Sequence, residues 1–84
     1  MDIIFISNQI KFDILNIPGL PAAQSYNLLG TTPLHSVGYD DDLCRKLEHK
    51  LQVIANEYNT GKIILSGHIS KDTTVYQCIK LVIF

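Results

Sequence analysis

Three histidines, two cysteines and a run of aspartates are the residues of this 84-residue chain that could do chemistry. His35, His49 and His68 with Cys44 and Cys78 supply the atoms for a zinc site or a cysteine–histidine nucleophile. Their spacing supports neither. The chain has no Cys-x-x-Cys, no His-Glu-x-x-His, no glycine loop that would cradle phosphate and no nucleophile elbow. His49 stands between Glu48 and Lys50 and reads as a solvated helix residue, and His68 reads as a packed or surface histidine. Asp40, Asp41 and Asp42 invite a divalent metal. Consecutive carboxylates at a helix start diverge around the axis, and the calcium-loop pattern with its glycine and distal glutamate is missing, so capping is the favoured role. No catalytic, cofactor-binding or metal-binding residue is assigned, and the chain is read as a non-enzyme.

Composition points the same way. Hydrophobic residues make up 46% and charged residues 18% of a chain with formal charge −1. A chain of this size can bury only about 60% of its unfolded surface. Part of the apolar surplus is therefore expected to lie against another protein. Seven basic residues, none in a run, give no phosphate-binding patch. Tyr26, Tyr39, Tyr58 and Tyr76 thus read as core or interface residues, and nucleic acid is not an expected partner. Charge is uneven: residues 1–42 carry a net −4 (Lys11 against five aspartates), and residues 43–84 carry +3 (six basic, three acidic). The longest charge-free stretch, Ile14 to Tyr39, contains Pro18, Pro21, Pro33 and several amides, which disqualifies it as a membrane span. No secretory pattern is read at the start, so a cytoplasmic location is expected. Cys44 and Cys78 are then expected to be buried reduced thiols rather than a disulfide.

The elements that would position these residues read as one α+β domain over 1–84. Residues 2–7 and 10–15 suggest a hairpin turning at Asn8-Gln9, with Ile10, Phe12 and Ile14 alternating against Lys11 and Asp13. Asn16 to Pro21 breaks the strand, and residues 24–29 suggest a further short strand. Leu43, Leu47, Leu51, Ile54 and Tyr58 form one stripe of a long helix over about 40–58, capped by Asp40 or Asp41 and stopped at Asn59-Thr60-Gly61. Arg45, Lys46, Glu48 and Lys50 are assigned to its wet side. Residues 62–69 read as a strand. Residues 75–84 fit a strand by β propensity, or a short closing helix capped by Asp72 or Thr73. The expected architecture is an antiparallel sheet packed against the one long helix.

Three stretches together resemble the small proteasome assembly chaperones, the third and fourth members of that set. They are Ser7-Asn-Gln-Ile-Lys-Phe-Asp-Ile-Leu followed by Pro18-Gly19, then Asn27-Leu28-Leu29-Gly30, then Ile63-Ile64-Leu65 through Ser70-Lys71-Asp72-Thr73. The resemblance implies a chaperone subunit without catalysis or cofactor. It would dimerise with a related chaperone subunit and hold a proteasome α subunit during ring building. Partner contacts are then placed at Leu20 and Pro21 and at Lys71, Asp72 and Thr73. Two other readings stand beside it. One is a small viral or bacterial inhibitor or immunity protein, using the acidic N-terminal half against a basic target. The other is a small oligomeric enzyme whose Tyr39, Glu57 and His68 converge across a subunit boundary.

Overall fold

The computed structural model describes residues 2–84, and among them the chain is helical. Helix α1 runs Ile3–Asn16, α2 Asp41–Glu57 and α3 Val75–Ile83. Short 3-10 turns lie at Ser25–Asn27 and Leu34–Val37. Each of the three helices packs on the other two, and the first 3-10 turn packs on α1.

Helix α1 replaces the expected hairpin. Asp2 caps it by accepting a hydrogen bond from the Phe5 amide at 3.0 Å. Ile6, Ile10 and Ile14 then recur every four residues on one buried line. A spacing of four is a multiple of two as well as one helical turn, so Ile10 and Ile14 satisfied the strand pattern equally. What tips the balance is Ile6 and the otherwise awkward Asp13, both of which fall on the same buried side. The β-branched propensity of the segment is overridden by packing on two neighbouring helices.

Helix α2 is the expected long helix, begun by Asp40, whose carboxylate accepts from the Leu43 amide at 2.9 Å. Leu47, Leu51 and Ile54 are buried, and Leu43 and Tyr58 are half-buried. Asn59 takes the left-handed conformation immediately beyond it. Helix α3 settles the ambiguous C-terminal segment. Its cap is Thr74, one or two residues later than expected, in a reciprocal box: the Gln77 amide donates to Thr74 Oγ1 and the Thr74 amide to Gln77 Oε1. Its next free amides, on Val75 and Tyr76, donate to the carbonyls of Thr32 and Gly30 at 2.9 and 2.8 Å. Glycine suits position 30, because a Cβ on it would lie 3.2 Å from the Tyr76 Cβ, tighter than ordinary contact.

The core joins Ile6, Ile10 and Ile14 to Cys44, Leu47, Leu51, Ile54 and Ala55 of α2 and to Val75, Cys78, Ile79 and Val82 of α3. Leu34, Tyr39, Ile64 and Ile69 complete it from the connections. The α+β expectation is thereby overturned. Residues 24–29 hold a 3-10 turn, residues 62–65 have no regular structure, and an isolated bridge between Pro33 and Thr74 is the one β pairing among the described residues. The strand reading of 62–69 also fails, because a turn at Ser66-Gly67 interrupts it and Ile64 and Ile69 are buried while Ile63 and Leu65 face water.

Tyr39 ties the start of α2 to the end of α1, its hydroxyl donating to the Ile14 carbonyl at 2.8 Å inside the core. Tyr39→Phe should lower unfolding stability by about 1–2 kcal/mol, read from urea unfolding followed by far-UV circular dichroism. A loss within a few tenths would show that the bond adds nothing.

Candidate functional site

The densest polar cluster lies along one side of α2, where the sequence had placed solvated charges. Arg45, Glu48 and Gln52 sit three and four residues apart, so they form one row. Glu48 is buried rather than wet. Its Oε2 accepts from the amides of Gly67 and Ile69, both at 2.9 Å, and from Arg45 Nη2 at 3.2 Å. Its Oε1 lies 2.7 Å from Arg45 Nε as an ion-pair contact, without an aligned hydrogen bond. Arg45 Nη2 also donates to the Ile69 carbonyl at 2.6 Å. Gln52 repeats the device one turn on: it accepts from the Ile64 amide at 2.7 Å and donates to the Lys62 carbonyl at 3.1 Å. The three side chains do for residues 62–69 what a neighbouring strand would do. Gly67, at φ +94, makes the turn that aims its amide at Glu48. The cluster is a clamp on the backbone, and Glu48 Oε1 is the one buried side-chain polar atom among the described residues without an aligned hydrogen bond.

The other candidates disperse. His49 is exposed on α2. His68, expected in mid-strand, is exposed in the turn and accepts from the Leu65 amide through Nδ1, which makes Nε2 the protonated nitrogen of the neutral ring. His35 Nε2 stands 4.0 Å from Asp72 Oδ1, both well exposed. Asp40 caps α2, as read, and Asp41 and Asp42 occupy its first turn. Among the described residues no three His, Cys, Asp or Glu side chains gather where they could hold a metal ion. Tyr39 has its hydroxyl committed to Ile14, whereas Glu57 is exposed at the end of α2.

Cys44 and Cys78 are free and buried. Burial pushes the Cys78 thiol up to about 12, with the nearby Cys44 adding to it, and burial raises Cys44 as well. Burial is also the main cause that raises the Tyr39 phenol. These are inert core groups, opposite in character to a nucleophilic thiol.

Leu20 and Pro21 are exposed just beyond α1, as a partner contact requires. Lys71 and Asp72 are exposed and Thr73 is half-buried in the turn before α3. That turn is fastened to the second 3-10 turn, with the Leu34 and His35 amides donating to the carbonyls of Thr73 and Lys71. Its carbonyls are therefore engaged within the chain. Open grooves mark the surface of the described residues. One of about 330 Å³ is lined by His68, Thr73, Gln77, Lys80 and Leu81, a second of about 290 Å³ lies along the clamp, and a third of about 370 Å³ runs between Leu29 and Tyr76.

The surface that sequence reasoning missed is the outer side of α1. Ile4, Phe5 and Phe12 are all exposed there, Ile4 at 75% and Phe5 at 55%. Phe5 rests edge-on against Tyr58 at 6.0 Å between centroids. A hairpin reading puts Phe12 with Ile10 and Ile14 on one covered face, and so hides this feature. Its signal was present as a second apolar stripe at helical spacing. No helix among the described residues is long and apolar enough to cross a membrane. No protein-family model, curated protein or solved structure matches the chain. The chaperone and proteasome assignments are left without support, because the sheet they require is not formed here.

Glu48→Ala should cost about 2–4 kcal/mol in urea unfolding, since it orphans two amides and an arginine, and amide exchange at Gly67 and Ile69 should accelerate. Glu48→Gln, which keeps an acceptor, should fall between it and the parent. Equal behaviour of Ala and Gln variants would refute the clamp. Above pH 9 an unfolded Cys78 ionises while the folded one keeps its proton up to about 12, so the unfolded state binds fewer protons. Stability should be fully present below pH 9 and decline as pH climbs towards 12, with a shallower decline in Cys78→Ala measured by urea midpoints.

Proposed function

We propose that this chain is a non-catalytic protein-binding module that works through the outer side of α1. The observation that supports the reading is that α1 is apolar on both sides while only one is covered. Helices apolar all round belong in interiors. Here Ile4, Phe5 and Phe12 face water on a helix whose charged residues are Lys11 and the buried Asp13 alone. Several polar side chains are committed within the fold: Glu48, Arg45 and Gln52 to residues 62–69, Tyr39 to Ile14, and Asp40 to a cap. Two buried free thiols suit a reducing compartment, and the cytoplasm is the location we propose.

A photo-crosslinking residue at position 12 should capture protein in lysate of the source cells, whereas the same residue at Lys46, on the polar side of α2, should not. In parallel, Phe12→Ser should leave the urea midpoint within about 0.5 kcal/mol of the parent, as for an exposed residue, against about 3–5 kcal/mol for a core phenylalanine. Unfolding of Phe12→Ser, or equal capture at both positions, would overturn the assignment.

A further inference from the structure

We infer that the groove of about 330 Å³ between α3 and the connection that precedes it binds a carboxylate carrying an apolar group. This site shares no residue with the outer side of α1 and stands or falls apart from it.

The lining carries the argument. Gln77, Lys80 and Leu81 share one face of α3, at spacings of three and four from Gln77, and His68 and Thr73 line the groove from the connection. Backbone amides have already claimed the acceptors. His68 Nδ1 accepts from the Leu65 amide at 3.0 Å, Thr73 Oγ1 from the Ser70 amide at 2.9 Å, and Gln77 Oε1 from the Thr74 amide at 2.9 Å. Left open are donors: His68 Nε2–H, the Thr73 hydroxyl and the Gln77 Nε2 group. Lys80 adds an ammonium, which has no acceptor at all. It rests over the Tyr76 ring at 5.5 Å and belongs to neither ion pair of the described residues, so its three donors stay open. No described residue lining the groove is acidic, and the carboxylate of Asp72, beside Thr73 in the chain, lies towards His35 at 4.0 Å. Donors gathered in this way call for an anion. Three of the four side chains are held by backbone bonds beforehand, so a ligand has little ordering to impose.

A carboxylate fits this groove better than a phosphate. Lys80 is its one full charge, since a histidine whose Nδ1 accepts a hydrogen bond is neutral, whereas a phosphomonoester carries about two negative charges. The groups best suited to phosphate are also engaged elsewhere. Arg45 holds Glu48 and the Ile69 carbonyl, and the first amides of α3 hold the carbonyls of Thr32 and Gly30. Half-buried Leu81 supplies a wall for the apolar part of the acid. Such a group occurs on a small aliphatic acid and at the C-terminus of a peptide that ends in an apolar residue.

Titration of the isotope-labelled full chain, followed by NMR, tests this with isovalerate, isovaleramide, inorganic phosphate, and a short peptide ending in leucine as free acid or as amide. Isovalerate should shift the Gln77 side-chain amide and the backbone signals of Lys80 and Leu81 to saturation, and isovaleramide should bind about fivefold more weakly or worse. Gln77→Glu keeps the acceptor that the Thr74 amide needs, and with it the helix cap. It sets a carboxylate where the donor stood, so isovalerate binding should fall about tenfold with the urea midpoint unchanged. Lys80→Gln, at an exposed position, should weaken binding about two- to fivefold, the size of an exposed ion pair. A free-acid peptide that binds more tightly than isovalerate identifies a chain terminus as the ligand, and one that binds no more tightly identifies a small acid. Either supports the site. Tighter binding of phosphate than of isovalerate, equal binding of acids and amides, an absence of shifts, or undiminished binding by folded Gln77→Glu would overturn it.

Discussion

A carboxylate held out of water organises half of this molecule. Glu48 takes two backbone amides and an arginine on one oxygen, and through Arg45 the same group holds the Ile69 carbonyl. A buried carboxylate is costly unless paired and hydrogen-bonded, and here it is both. The return for that cost is placement. Residues 62–69 cannot form a ladder, because no strand lies beside them, and their backbone would otherwise depend on water alone. With Gln52 satisfying Ile64 and Lys62 a turn further on, the connection between α2 and α3 is fixed, and Ile64 and Ile69 drop into the core.

The second connection is solved by backbone alone. Residues 30–35 lie against 71–76, so that carbonyls of Gly30 and Thr32 reach the first amides of α3, and amides of Leu34 and His35 reach back to Thr73 and Lys71. This consumes the helix terminus that might have drawn an anion. With Tyr39 fastening α2 to the end of α1, the polar groups of the interior are spent on joining helices. Glu48, Arg45, Gln52 and Tyr39 are thereby committed to the architecture, and the outer side of α1 leaves Ile4, Phe5 and Phe12 facing water.

Much of α2 was legible. Leu47, Leu51 and Ile54 announce their buried side by spacing, and Asp40 its cap by position, since both signals depend on residues within a few places of one another. Glu48 was misread because the same local rule assigns a glutamate between a histidine and a leucine to solvent. Its partners, Gly67 and Ile69, are about twenty residues away, and nothing local announces them. Residues 62–69 were misread for the converse reason. Their β-branched composition favours a strand, whose backbone a sheet ordinarily satisfies, whereas here side chains of a helix bond a segment without regular structure.

What the chain's sequence determined without help is the surplus of apolar residues, the absence of metal-ligand and nucleophile spacings, and the place of one long amphipathic helix. Tertiary structure alone decided whether residues 3–16 coil or extend, because isoleucines four apart serve either period and only packing on α2 and α3 rewards one. It also decided which apolar residues stay wet. Exposure is a property of what lies opposite, and the neighbours of Phe5 and Phe12 are set by the assembled helices rather than by the residues beside them in the chain.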